Sequence, residues 1–268
     1  MSNEFCYFKR RELCILFVIV ITLCLQPSCS SEAVGETDAD SAAIGPPPER
    51  IAEADGLFAE RADLNKLREA VALLESLRNP SARYYEVEWK FSKYSLFLGR
   101  RLENESQKEG VFKKGRAAGL IASRMEPEKP DGHFWSGANL GELSKLSPVT
   151  VGIKSRDDIR ETMNEVIEIQ PDYHGASAYD ALAQLELATR IYGGKAEKAV
   201  EYLEKGLAIS PANSKIKTDL AEAYLGVRRK GDARKQIDEV LKMEPNPDYV
   251  LEHNEAVEKA KRLRKKYF

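Results

Sequence analysis

The chain is 268 residues long, 43% hydrophobic and 31% charged, with 41 basic residues set against 43 acidic ones and a formal net charge of −2. That balance lacks the clustered basic excess that marks a nucleic-acid binder, and the wealth of Ala, Leu, Glu, Lys and Arg favours helix over sheet. All four cysteines, Cys6, Cys14, Cys24 and Cys29, fall in the first 29 residues, so disulfides, cysteine metal sites and thiol catalysis are not expected in the rest of the chain.

Lys9, Arg10 and Arg11 precede an apolar run from Leu13 to Leu25, the layout of a secretory signal. The run is 13 residues long, short of the roughly 20 that span a bilayer. Ser28-Cys29 just after it resembles a bacterial lipobox, so residues 1–29 are read as a lipoprotein signal with Cys29 as the lipidation site. The competing reading is a simple cleaved signal with an incidental cysteine. Lipidation would tether an exported, periplasmic or envelope protein to a membrane. Residues 30–49 are polar and Pro-rich, too poor in large apolar side chains to form a core, and are expected to be a disordered tether.

Apolar spacing and punctuation predict helices at about 50–61, 64–78, 82–100, 106–124, 131–146, 155–170, 174–192, 195–209, 214–228, 231–243 and 248–266. The repeat signal is clearest between Pro211 and Pro245, 34 residues apart, the period of a tetratricopeptide repeat (TPR). Leu220, Ala221 and Tyr224 sit on one helix of that unit, and Ala233, Ile237 and Val240 on the next. Small residues let two antiparallel helices approach, and large ones fill the seam. Gly231 is expected to supply the turn between them. Ala199, Leu203 and Gly206 repeat the second-helix offsets before Pro211, and the residues added to that unit are placed near Ile191-Tyr192-Gly193-Gly194. The expected fold of residues 50–268 is therefore all-α, a TPR-like solenoid of about five antiparallel helix pairs plus a terminal capping helix.

No phosphate-binding loop is present, the three histidines are far apart in sequence, and the carboxylates lie on charged helix faces. Neither an enzyme, nor a metal site, nor a cofactor is expected. Two Gly-x-x-x-Gly patterns, Gly115–Gly119 and Gly137–Gly141, fall on consecutive predicted helices and point to backbone-close packing, with room for a ligand as the further alternative. Aromatic residues gather at Tyr84–Tyr94 and at His133-Phe134-Trp135. Tyr85, Trp89, Phe134, Trp135 and Tyr179 are the candidates for a concave ligand or partner surface, with burial in the core as the competing reading for the tryptophans.

Pro130-Asp131-Gly132-His133-Phe134-Trp135, the Pro171-Asp172-Tyr173 stop, Gly193-Gly194 before Ala199, Leu220-Ala221-Glu222 and the terminal Glu252-x-Asn254-Glu255-Ala256 together resemble the T-component of TRAP transporters, the TatT lipoproteins, over about residues 50–266. That resemblance implies a lipid-anchored scaffold for a TRAP-type solute-binding subunit, helping to deliver a hydrophobic or organic-acid ligand, with homo-oligomers as a further implication. The chain also resembles the TPR-containing regulators of microtubule dynamics, which share long helices and a Trp-bearing helix followed by divergent repeats, although a bacterial-type signal with a cysteine argues against that reading. A generic periplasmic TPR adaptor for protein partners is the third possibility.

Overall fold

The structure is a computed structural model in which residues 48–268 are described. The signal segment, Cys29 and all but the last two residues of the expected tether lie outside them. The described residues form eleven α-helices: α1 Pro48–Ala59, α2 Leu64–Leu77, α3 Tyr85–Arg101, α4 Glu105–Met125, α5 Pro130–Leu146, α6 Ile153–Ile169, α7 Tyr173–Ala188, α8 Ala196–Ile209, α9 Ser214–Gly226, α10 Lys230–Val240 and α11 Val250–Tyr267. Every predicted helix is present, and no strand occurs among the described residues.

The starts and stops have local causes. Asp63, Asn104 and Asn213 accept hydrogen bonds from the backbone N–H groups of Asn65, Gln107 and Ile216, satisfying donors that open α2, α4 and α9. Pro130 opens α5, where its missing N–H costs nothing. A π-helical turn, Pro148–Gly152, carries the chain from α5 into α6. The residues added to the fourth unit form a 3₁₀ turn, Arg190–Tyr192, closed by Gly193 at φ +98°, a left-handed conformation that glycine adopts without strain.

Consecutive helices pack as antiparallel neighbours, and α11 lies against α9 and α10. The first helices of the pairs also meet one another: α3 touches α5, α5 touches α7, α7 touches α9, and α9 touches α11. At the N-terminal end the Phe58 ring of α1 stacks on Tyr94 of α3, their centroids 3.9 Å apart. These first helices form an inner wall. The repeat positions read from the sequence, Ala199, Leu203, Leu220, Ala221, Tyr224, Ala233, Ile237 and Val240, are all buried. Gly206 lies in the same seam: a Cβ there would come within 3.1 Å of Tyr179 Cβ and 3.2 Å of Ile216 Cδ1.

The turn between α9 and α10 is not made by Gly231. Arg228 makes it at φ +63°, and Gly231 lies inside α10, where an added Cβ would meet nothing within 4 Å. The glycines of the two Gly-x-x-x-Gly patterns divide. Cβ atoms on Gly115 and Gly119 would come within 2.6 Å of Asn139 Oδ1 and 2.7 Å of the Ser136 backbone nitrogen, and one on Gly137 within 2.6 Å of Met163 Cε. Those three set close helix crossings. Gly141 has no neighbour within 4 Å and borders open space.

Candidate functional site

The inner wall encloses a cleft of about 1110 Å³. Its sides come from the first helices of the pairs, from α6 with Arg156, Ile159 and Met163, and from α11, which contributes Leu251, Glu252, Glu255, Lys259 and Arg262. The terminal helix is thus a wall of the cleft as well as a cap. The ends of the solenoid meet there: the Arg61 guanidinium, in the α1–α2 connection, grips both carboxylate oxygens of Glu252 on α11, with Nη2 at 2.9 and 3.0 Å and Nε at 3.3 Å. The inner wall is a closed ring.

One side of the cleft is aromatic. Trp135 is buried, and its indole N–H donates to the Tyr173 hydroxyl at 2.9 Å. Tyr173 donates to one Asp131 oxygen at 2.8 Å, and Tyr85 to the other at 2.9 Å. Burial, followed by the Asp131 carboxylate, pushes both phenols well above the ordinary tyrosine range. The network ties α3, α5 and the start of α7 together and fixes the orientation of Trp135.

His174 sits in the middle of this wall. Its ring packs edge-on to Trp135 at 5.0 Å and to Tyr249 at 5.5 Å. His174, Gly175 and Ala176 have φ values of +49°, +67° and +61°, three left-handed residues in succession at the head of α7. For His174 and Ala176 that conformation costs roughly 1–2 kcal/mol each. The Asn213 amide, donating to the Gly175 carbonyl at 2.8 Å, helps hold it. Burial, then the nearby Lys93 and Arg61, push the imidazole down to about 4, so His174 is neutral at neutral pH.

Cations are concentrated beside the aromatic wall. Arg100 and Lys145 share the single carboxylate of Glu142, at 2.7 and 3.0 Å. Burial opposes the charge of Glu142, but these two cations hold its carboxyl below the ordinary value. Arg101 donates to the Arg61 and Ala62 carbonyls. Lys93 makes no ion pair among the described residues; its ammonium lies 5.4 Å from the Trp135 ring and 5.2 Å from that of Phe58. Burial, then the Arg61 charge, lowers its pKa.

A second charged group lines the cleft where α7, α9 and α11 meet. Lys215 bridges Asp180 and Asp219, and Lys259 bridges Asp219 and Glu222. Burial and the neighbouring Asp219 raise Asp180 to about 6 against the pull of Lys215. For Asp219 burial is outweighed by Lys215 and Lys259, and its carboxyl lies well below the ordinary range. Asp180 Oδ1 has no hydrogen-bond partner. A proton on Asp180 would turn that orphan acceptor into a donor towards Asp219.

Of the five aromatic candidates, Phe134 and Trp135 line the cleft, whereas Tyr85, Trp89 and Tyr179 do not. Tyr85 supports the wall through Asp131, Trp89 packs at the edge of the central core cluster, and Tyr179 packs in the C-terminal one. Sequence reasoning missed Arg61, Glu252, Lys93, Arg100 and His174. Nothing local distinguishes these charged residues from a solvated helix face. The only local signal near His174 is the Pro171-Asp172-Tyr173 stop before it.

Stacked helix pairs, an inner wall of first helices and a cleft along that wall define a TPR-type solenoid. A thermophilic TPR protein of Thermus thermophilus has the same fold, at a TM-score of 0.56 and 18% identity, over 78% of this chain and 98% of that one. Crystal structures of MamA align less closely, the MSR-1 form at a TM-score of 0.44 and 16% identity over 82% of this chain and 95% of that one. No curated protein matches the sequence. Residues 50–267 match the family model described as regulator of microtubule dynamics protein 1-3, and the chain belongs to that family.

Proposed function

We propose that this chain is a protein-binding scaffold acting in the regulation of microtubule dynamics, and that it holds a segment of its partner in the ring-closed cleft. The observation that carries the reading is the cleft itself: about 1110 Å³ bounded by the inner helices, apolar on one side and charged on the others. A cleft of this size, at the upper edge of the roughly 300–1,000 Å³ of small-molecule pockets, has room for several residues of an extended peptide. The family description supplies the process. The test is microtubule co-sedimentation, with growth and shortening rates, for the wild type and for Gly141→Trp, which fills the cleft at a position with open space around it. Supporting results are binding or altered dynamics in the wild type and their loss in the variant. An inert wild type removes the microtubule reading and leaves a TPR adaptor for other proteins.

The TRAP-type reading differs in compartment and occupant. It is supported by the Leu13–Leu25 run with Cys29 and by the apolar side of the cleft, where an organic ligand would lie against Phe134 and Trp135. An exported, Cys29-anchored protein would not meet cytoplasmic microtubules, so fractionation of the wild type and Cys29→Ala separates the two. Release of the variant from the membrane, with a solute-binding subunit recovered from the native envelope, would favour transport. Equal membrane association of both forms would remove acylation at Cys29.

A further inference from the structure

The cleft has a charge asymmetry that the scaffold reading does not use. Arg61, Lys93, Arg100, Arg101 and Lys145 gather beside the Trp135–His174 wall, where Arg61 grips Glu252 and Arg100 and Lys145 share Glu142. Of the five, Arg61, Arg100, Arg101 and Lys145 line the cleft directly, and Lys93 stands against its Trp135 wall. Glu255 and Glu258 line the cleft further along α11, where Lys259 and Arg262 also lie. Asp55, the other carboxylate near Lys93, is engaged by Lys90 and Tyr94.

A half-buried lysine with no ion pair is costly to keep. Packing alone would be served as well by methionine, which has a similar length and no charge. The neutral state of His174 adds to the point. Burial first, then Lys93, Arg61 and Arg100, keep a proton off the ring, so positive charge is already dense at the wall without it. An incoming anion would find charge-assisted donors there and a flat apolar face beside them.

We propose that Lys93, Arg100 and Arg101, with the Trp135 face, form an oxyanion-binding subsite that receives a carboxylate side chain of an acidic, extended protein segment lying in the cleft. The inference rests on the scaffold reading and adds the chemistry of the occupant. A segment alternating Glu with Leu places its carboxylates on one face and its apolar side chains on the other, matching the two kinds of wall. Arg100 would be shared between Glu142 and the ligand, and Lys93 would acquire the carboxylate that it lacks.

The test uses the full chain and two synthetic ten-residue peptides, one alternating Glu and Leu and the other with Gln in place of Glu. Binding is read by calorimetry for the wild type, Lys93→Met, Lys93→Arg and Gly141→Trp, and by the fluorescence of Trp135 for the first three in a Trp89→Phe background. The expected result is that the acidic peptide binds the wild type at least tenfold more tightly than the Gln peptide. Lys93→Met should remove that preference, Lys93→Arg should keep most of it, and the affinity should fall as salt rises. The melting temperature of Lys93→Met should be equal to or above that of the wild type, whereas a purely structural lysine would lower it. Equal binding of the two peptides, lost in Gly141→Trp, would overturn the anion subsite and leave the scaffold intact. Binding of neither peptide would overturn the proposal together with peptide capture. Lys93-dependent binding of phosphatidylserine vesicles or inorganic phosphate, without binding of the acidic peptide, would overturn the assignment to a protein segment.

Discussion

Arg61 and Glu252 are 191 positions apart in sequence, yet the guanidinium of one grips both carboxylate oxygens of the other. The side chains are 14% and 20% exposed, so the pair is screened less than a surface bridge. Arg61 also lies over the Phe58 and Phe97 rings, 5.0 and 5.7 Å from their centroids. Glu252→Gln should cost about 1–3 kcal/mol, and its effect should be local. Hydrogen exchange should speed up in α11 and at the α1–α2 connection while α4 and α5 remain protected. The double reversal, Arg61→Glu with Glu252→Arg, should recover part of the loss in a double-mutant cycle. A cycle with no coupling would show that the ring is closed by packing alone.

Asp180 gives the fold a pH dependence of definite sign. Its folded-state pKa is raised to about 6 by burial and by Asp219, so the folded chain binds more protons than the unfolded one between roughly pH 4 and pH 6. Stability should therefore fall as pH rises through that window. Asp219 acts oppositely: its lowered pKa contributes stability above the ordinary carboxylate range, lost as pH falls below it. Asp180→Asn removes the first effect and leaves Lys215 its bridge to Asp219. Denaturant unfolding at a series of pH values should show the wild type losing about 1–3 kcal/mol relative to the variant between pH 4 and pH 7. Parallel curves would mean that Asp180 titrates near its ordinary value.

The Pro-punctuated repeat was legible because its constraints are local. Ala221 and Ala233 must be small where helices cross, and Leu220 and Ile237 must fill the seam, so their spacing survives in the sequence and all four are buried. The cleft was legible only in part. Phe134 and Trp135 stand out as an aromatic pair next to each other, and both reach it. Arg61, Arg100 and Glu252 read as ordinary surface charges, because what makes them a site is the closing of a ring over 191 positions, and no local pattern encodes a contact of that range. Tyr179 shows the converse. A candidate for the concave lining, it packs instead beside the Gly206 crossing.

The glycines on α4 and α5 give a paired test of packing against open space. Gly119→Ala would bring a methyl within 2.7 Å of the Ser136 backbone nitrogen and 2.8 Å of Ser92 Oγ. Backbone cannot yield as a flexible side chain can, so a cost of about 1–3 kcal/mol follows. Gly141→Ala meets nothing within 4 Å and should gain up to about 1 kcal/mol from helix propensity. Opposite signs in thermal unfolding would confirm that Gly119 serves packing and Gly141 borders the cleft. Equal effects would remove that distinction.

The turn between α9 and α10 can be tested through its conformation. Arg228 is exposed and holds φ at +63°, which costs a residue with a Cβ roughly 1–2 kcal/mol. The turn is kept by backbone hydrogen bonds, the Arg229 N–H donating to the Tyr224 carbonyl at 2.8 Å and the Arg228 N–H to that of Leu225 at 3.2 Å. Glycine at 228 would relieve the steric cost but lose more backbone entropy on folding, about 0.5–1 kcal/mol. A net gain of about 0.5 kcal/mol is expected for Arg228→Gly. Gly231→Ala is the matching control: inside α10 with open space around it, alanine should be neutral or stabilising by up to about 1 kcal/mol. If Gly231 instead made the turn in a left-handed conformation, Gly231→Ala would lower the melting temperature and Arg228→Gly would not raise it. Two melts against the wild type therefore decide which residue turns the chain.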